Sequence, residues 1–80
     1  MQTTEYRGRV FVDLPGLRRV RKSQGLSLRK LAEEAGMSYV HISRLERGEH
    51  HATIDTAKKL AKALRTHLNE LIVEQEERKE

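Results

Sequence analysis

The sequence predicts an all-α fold: a compact bundle of about five short helices around a helix-turn-helix, with room for a short β-strand near each end. Three observations lead there. From Leu17 onward, apolar residues recur at spacings of three and four, the helical period. Glycine stands where several of these stripes stop, and Ser or Thr stands where the next begins. Two central stripes are separated only by Gly36, Met37 and Ser38, a turn too tight for antiparallel packing, so the helices on either side must cross steeply.

Eighty residues make one domain. A chain this short buries roughly 60–65% of its unfolded surface, so its core is small and depends on tight helix packing, a dimer interface, or both. There are no cysteines, which removes disulfides and most structural zinc sites and fits a reducing, cytoplasmic setting. No run of about 18 apolar residues exists to span a membrane, and Met1 to Tyr6 has no apolar stretch of the signal-peptide type. The net charge of +4 is unevenly placed. Residues 15–65 carry twelve Lys/Arg against five Asp/Glu, residues 1–14 balance, and residues 66–80 carry two against five. The basic charge therefore sits on the folded unit, where it attracts polyanions, nucleic acid first.

The elements follow in order. Residues 6–14 alternate: Tyr6, Val10, Val12 and Leu14 share one parity, and Arg7, Arg9 and Asp13 share the other, the period of a half-buried strand. Pro15-Gly16 ends the segment. A lone strand leaves backbone groups unpaired, and the one other strand candidate is Leu71 to Glu76, within the chain or across a dimer. The alternative is a mobile arm. A first helix begins at Leu17, with Leu17, Val20 and Arg21 on one side, and stops at Gln24-Gly25. Ser27 caps a second helix with the stripe Leu28, Leu31, Ala32, Ala35, stopped by Gly36. Ser38 caps a third, Tyr39 to about Arg47, with Ile42 and Leu45 inward and Gly48 as its stop. After a loop over 49–53, Thr53 caps a fourth helix to about Leu64, with Ile54, Ala57, Leu60, Ala61 and Leu64 inward. A short fifth helix carries Leu68, Leu71 and Ile72. The organisation is an N-terminal arm or strand over 1–14, a helix-turn-helix domain over 15–73, and a charged tail over 74–80.

With Leu31, Ala35, Met37, Ile42 and Leu45 meeting in one core, the opposite face of the third helix is left outside. It consists of Tyr39, Val40, Ser43, Arg44 and Arg47, polar and basic, and suits the width of a major groove.

On the strings LRRVRKSQGLSLRKLAEEAGMS, ISRLERGE and TIDTAKKLAKAL followed by LNELI, the span Leu17 to Ile72 resembles the lambda-repressor-like helix-turn-helix family, also called the XRE family. The resemblance covers about two-thirds of the chain. It implies a five-helix bundle that binds double-stranded DNA, as a homodimer on a near-palindromic operator, and regulates transcription, with repression by promoter occlusion as the default. By the same resemblance Tyr39, Val40 and Arg44 read bases, flanked by Ser43 and His41. Arg44 has the guanidinium fork that suits a guanine edge, and Val40 suits a thymine methyl. Arg47 and the loop residues His50, His51 and Thr53 hold phosphates, and Arg21 and Glu46 form a partly buried salt bridge.

Four positions depart from the family pattern. Leu28 stands where a Gln usually contacts phosphate and buttresses the neighbouring reader, leaving Ser27, Arg29 or Lys30 to supply the phosphate contact. Ala52 stands for the usual loop Pro, Arg65 for the glycine that ends the fourth helix, and His67 for a capping Ser. A looser or reshaped junction over 64–68 is expected.

Other readings are plainer. Lys58, Lys59 and Lys62 read as a solvated helix face. The His50-His51 pair lacks the partners a metal would need, so neither metal nor cofactor is expected. No nucleophile elbow, phosphate loop or acid-base cluster is present, and no small-molecule site is evident, so the protein is not read as an enzyme. The alternative function is an antitoxin or protein-interaction module on the same fold, though residues 74–80 lack the apolar anchors a toxin-binding tail would need. For the dimer surface the fifth helix, with Leu68, Leu71 and Ile72, comes first, and the Tyr6 to Leu14 strand second.

Overall fold

The second, third and fourth helices begin where a side chain receives an unpaired N–H group, and the first four end where the backbone turns left. In the computed structural model, which describes the backbone of residues 3–6 and 9–72 and side chains from Val10 to Ile72, five helices result: α1 (Leu17–Ser23), α2 (Leu28–Ala35), α3 (Tyr39–Glu46), α4 (Ile54–Ala63) and α5 (Leu68–Ile72). Ser27 Oγ accepts from the Lys30 N–H at 3.0 Å, Ser38 Oγ from Val40 at 3.2 Å, and Thr53 Oγ1 from Thr56 at 3.2 Å. Such caps are worth about 1 kcal/mol each.

The ends of α1 to α4 share one hydrogen-bond pattern. At Gly36 (φ +68°) the Gly36 N–H reaches Glu33 O and the Met37 N–H reaches Ala32 O. A Cβ on Gly36 would meet nothing within 4 Å, so glycine is required there for its dihedral and not for space. α4 closes in the same way, with Arg65 N–H on Lys62 O at 3.1 Å and Thr66 N–H on Ala61 O at 3.0 Å. Here the left-handed residue is Arg65, with φ +55°. The junction expected to be loose therefore keeps the regular geometry, and its departure from glycine is absorbed as backbone strain. Gln24 Nε2 ties α1 to this corner by donating to Leu64 O at 2.6 Å.

The core is continuous. Leu17, Leu31, Ile42, Leu60, Leu64 and Leu71 are fully buried, and Val12, Leu14, Val20, Ala32, Leu45, Ala52, Ala57, Ala61 and Ile72 complete it. Two expectations change. Leu71 and Ile72 lie in α5, and both are buried in the chain's own core. They neither form a strand nor face outward for a dimer contact; residues 73–76 of that expected strand lie outside the described residues.

The partner of the N-terminal segment lies elsewhere. β1 (Thr3–Tyr6), β2 (Arg9–Val12) and β3 (Ala52–Thr53) form a three-stranded antiparallel sheet in that order. Tyr6 is opposite Arg9, Phe11 opposite Thr53, and Val12 opposite Ala52. Val12 and Leu14 point into the core as the alternation predicts, but Val10 is 37% exposed because β3 is too short to cover it.

One ion pair spans the bundle. Arg21 Nε donates to Glu46 Oε2 at 2.6 Å, Nη2 to Glu46 Oε1 at 3.1 Å, and Nη1 to Leu26 O at 2.7 Å. The two side chains are 10% and 6% exposed. Its hydrogen bond to Glu46 holds the Arg21 guanidinium above its ordinary pKa against the opposing pull of burial.

Glu46→Ala leaves Arg21 buried without its carboxylate and should cost about 3 kcal/mol or more, read as a lower urea midpoint. An unchanged midpoint would show that solvent already satisfies Arg21. Arg65→Gly relieves a left-handed non-glycine residue and should stabilise the protein by about 0.5–1 kcal/mol, or a few degrees in Tm. A lower Tm would mean that the Arg65 side chain contributes more than its backbone costs.

Candidate nucleic-acid interface

α3 packs Ile42 and Leu45 inward and so turns the residues between them out. The Gly36 turn and the small buried Ala32 let α3 cross close to α2. The outer face is unusual for a surface: Tyr39 is 40% and Val40 44% exposed, two of only three large apolar side chains this open among the described residues. Arg44 is exposed beside them and, among the described residues, has no ion-pair partner. Ser43 and His41 are half-buried at its flanks.

The start of α2 comes next to the start of α3. The Arg29 guanidinium carbon lies 4.5 Å from the centre of the Tyr39 ring, a cation–π stack. Arg29 thus braces the aromatic residue at the head of α3, the place where the Gln that Leu28 replaces would have acted by hydrogen bonding. Leu28 itself is half-buried against the core. Lys30 is exposed, with its ammonium 3.9 Å from both Glu33 and Glu34 on its own helix. The Ser27 hydroxyl is engaged as acceptor in its cap and keeps a free proton to donate.

The end of α3 is arranged differently from what spacing suggests. The Arg47 guanidinium is held by Glu49, with Nε on Oε2 at 2.9 Å and Nη2 on Oε1 at 3.2 Å, and its Nη1 donates to Ser43 Oγ at 2.7 Å. That pairing raises the Arg47 pKa and lowers that of Glu49. The His50 ring lies 6.0 Å from that of His41. His51 Nδ1 hydrogen-bonds Asp13 Oδ1, linking the loop to the segment after β2. Thr53 is half-buried, and its hydroxyl is used within α4, accepting from the Thr56 N–H and donating to Thr56 Oγ1 at 3.1 Å.

The structure therefore brings Tyr39, Val40, Ser43 and Arg44 onto one open face with Arg29, Lys30 and Arg47 at its edges. It places His51 and Thr53 in internal contacts. Two residues of this surface were not singled out from the sequence. Arg18, on α1, lines the same groove as Ser43 and Arg47; it falls on the polar side of α1, and only the packing of α1 against α3 reveals what it faces. Glu49 has a sequence signal only in its place directly after the stop glycine.

A family model described as helix-turn-helix matches residues 17–71. No curated protein matches. Among solved structures, an HTH_3 family transcriptional regulator from Vibrio cholerae is 38% identical with a TM-score of 0.68, covering 70% of this chain and 32% of that one. This chain thus spans about a third of that regulator's length. The restriction-modification controller protein C.AhdI from Aeromonas hydrophila is 34% identical with a TM-score of 0.68, covering 70% of this chain and 85% of the controller. The master regulator for biofilm formation SinR, solved in complex with DNA, is 29% identical with a TM-score of 0.67, covering 71% and 92%.

The Arg29–Tyr39 brace is open to a double-mutant cycle. Urea unfolding of Arg29→Ala, Tyr39→Ala and the double variant should give a coupling of about 0.5 kcal/mol. A coupling indistinguishable from zero would mean that the two side chains move independently.

Proposed function

The chain belongs to the HTH_3 helix-turn-helix family of transcriptional regulators, and from that premise we propose that it binds a near-palindromic duplex operator as a homodimer, in the cytoplasm, and represses by occluding the promoter. The observation that supports this most directly is the outer face of α3. It holds two large apolar side chains open to solvent beside an arginine without an ion-pair partner among the described residues, on a helix whose other face is locked into the core. Exposed valine and tyrosine cost solvation unless a partner covers them, and a major groove offers thymine methyls, base edges and phosphates to this set of groups.

In this reading the domain is residues 15–73, preceded by the segment over 1–14 and followed by a charged tail over 74–80. Val40 packs on a thymine methyl, Tyr39 stacks or donates at the groove edge, and Arg44 pairs with a guanine through N7 and O6. Ser43 donates to a base acceptor: its oxygen is already taken by Arg47, and its proton is free. His41 borders the same edge. Ser27, Arg29, Lys30, Arg47 and His50 contact phosphates and set the register, while His51 and Thr53 serve through the loop and cap they hold together. Two such helices across a dyad meet half-sites about one helical turn, roughly 34 Å, apart.

Selection of preferred sites from random duplex DNA tests the proposal. The expected result is an enriched near-palindrome, with Arg44→Ala costing about 1–3 kcal/mol and relaxing preference at one base position. Salt-sensitive binding without any enriched sequence would reduce the activity to phosphate contact and put the protein-interaction reading first.

A further inference from the structure

Residues two apart on a continuing helix diverge. Arg47 and Glu49 meet because the helix does not continue. Gly48 takes φ +75°, and the turn is closed by its N–H on Leu45 O at 3.2 Å and by the Glu49 N–H on Arg44 O at 2.9 Å. This folds Glu49 back onto the side chain that leaves the end of α3. Both carboxylate oxygens then sit in the Arg47 fork, and the remaining guanidinium edge is used on Ser43. Arg47 also lowers the Glu49 pKa, with smaller contributions from Arg44 and His50. A negative group is therefore lodged among three basic side chains, at the end of the helix that carries the reading face. Both partners are about half exposed, 56% and 52%, so the pair is open to exchange with solvent ions.

We propose that Glu49 is an internal stand-in for a DNA phosphate: in the free protein its carboxylate fills the Arg47 fork, and on duplex DNA a backbone phosphate takes its place. This rests on the DNA-binding reading above and adds a regulating residue to it. A bidentate carboxylate and a bidentate phosphate make the same demands on a guanidinium, so one can replace the other without rebuilding the helix end. An exposed pair of this kind contributes little to stability, so the exchange is thermodynamically shallow. Its consequence is sequence-independent. Glu49 weakens binding to every duplex by a similar factor, and it lowers net ion release by about one, because the displaced carboxylate recovers a counterion as the phosphate loses one.

The test measures binding of the wild type, Glu49→Gln, Arg47→Ala and the double variant to a selected and a random duplex across a salt series, with circular dichroism as the check on folding. Glu49→Gln is expected to tighten both duplexes by about fivefold at low salt and to steepen the slope of log K against log salt by about 0.9. In the Arg47→Ala background the same change should do neither. Equal tightening with and without Arg47 would overturn the proposal, because Glu49 would then act by direct repulsion of DNA. An unchanged salt slope would overturn it as well. If the wild type binds neither duplex, the DNA-binding reading itself fails and this inference falls with it, an outcome distinct from the other two.

Discussion

The guanidinium of Arg21 reaches three acceptors on two other parts of the chain: both carboxylate oxygens of Glu46 on α3 and the carbonyl of Leu26 in the turn before α2. Removing these charges from water is unfavourable by several kcal/mol, and only near-ideal geometry with the donors engaged offsets it. That requirement turns the pair into a constraint on angle. A small rotation of α3 against α1 would lengthen two charge-assisted bonds in a region with little water to replace them. The Gly36 turn sets how α3 leaves α2, and the Arg21 fork sets how it lies against α1. Between them the outer face of α3 has little freedom left, which suits the base-reading role proposed for it.

The surface built on that frame is largely organised before any partner arrives. Arg29 lies over Tyr39, Glu49 and Ser43 hold Arg47, and Asp13 holds His51. Long side chains that are already confined lose less rotamer freedom on binding. Val40 and Arg44 remain the open groups, and they are also the two with the most direct correspondence to base edges. The division suits a protein whose edges find the duplex and whose centre tests its sequence.

The N-terminal sheet belongs to the same frame. The family match begins at residue 17, so β1 and β2 precede it. Val12 and Leu14 nevertheless sit in the core, and β2 pairs with the strand that leads into α4. Ala52, standing where the family pattern has proline, lies opposite Val12 and keeps the backbone N–H that proline lacks. With so small a chain, two more buried side chains and a covered loop matter to the stability of the whole.

Local chemistry was readable from residue order alone. The caps at Ser27, Ser38 and Thr53, the turn at Gly36 and the inward stripes of α2, α3 and α4 depend on neighbours within a few positions, so periodicity and residue type suffice to place them. For the same reason the outward set Tyr39, Val40, Ser43 and Arg44 was legible as one face. The β1–β2 pairing has a signal in the two-residue stretch Arg7-Gly8 between the paired segments, masked by the alternation that runs through it over 6–14. What residue order did not contain was the choice of partner for each charge and each short apolar segment. Leu71 and Ile72 could have been strand, interface or core, and only the packing of α5 on α1 and α4 made them core. Arg47 and His51 carry the residue types of phosphate ligands, and the turn at Gly48 and the approach of Asp13 also give each a carboxylate partner from the same chain. Periodicity determines which way a side chain points; what it meets there depends on distant segments brought near by the fold.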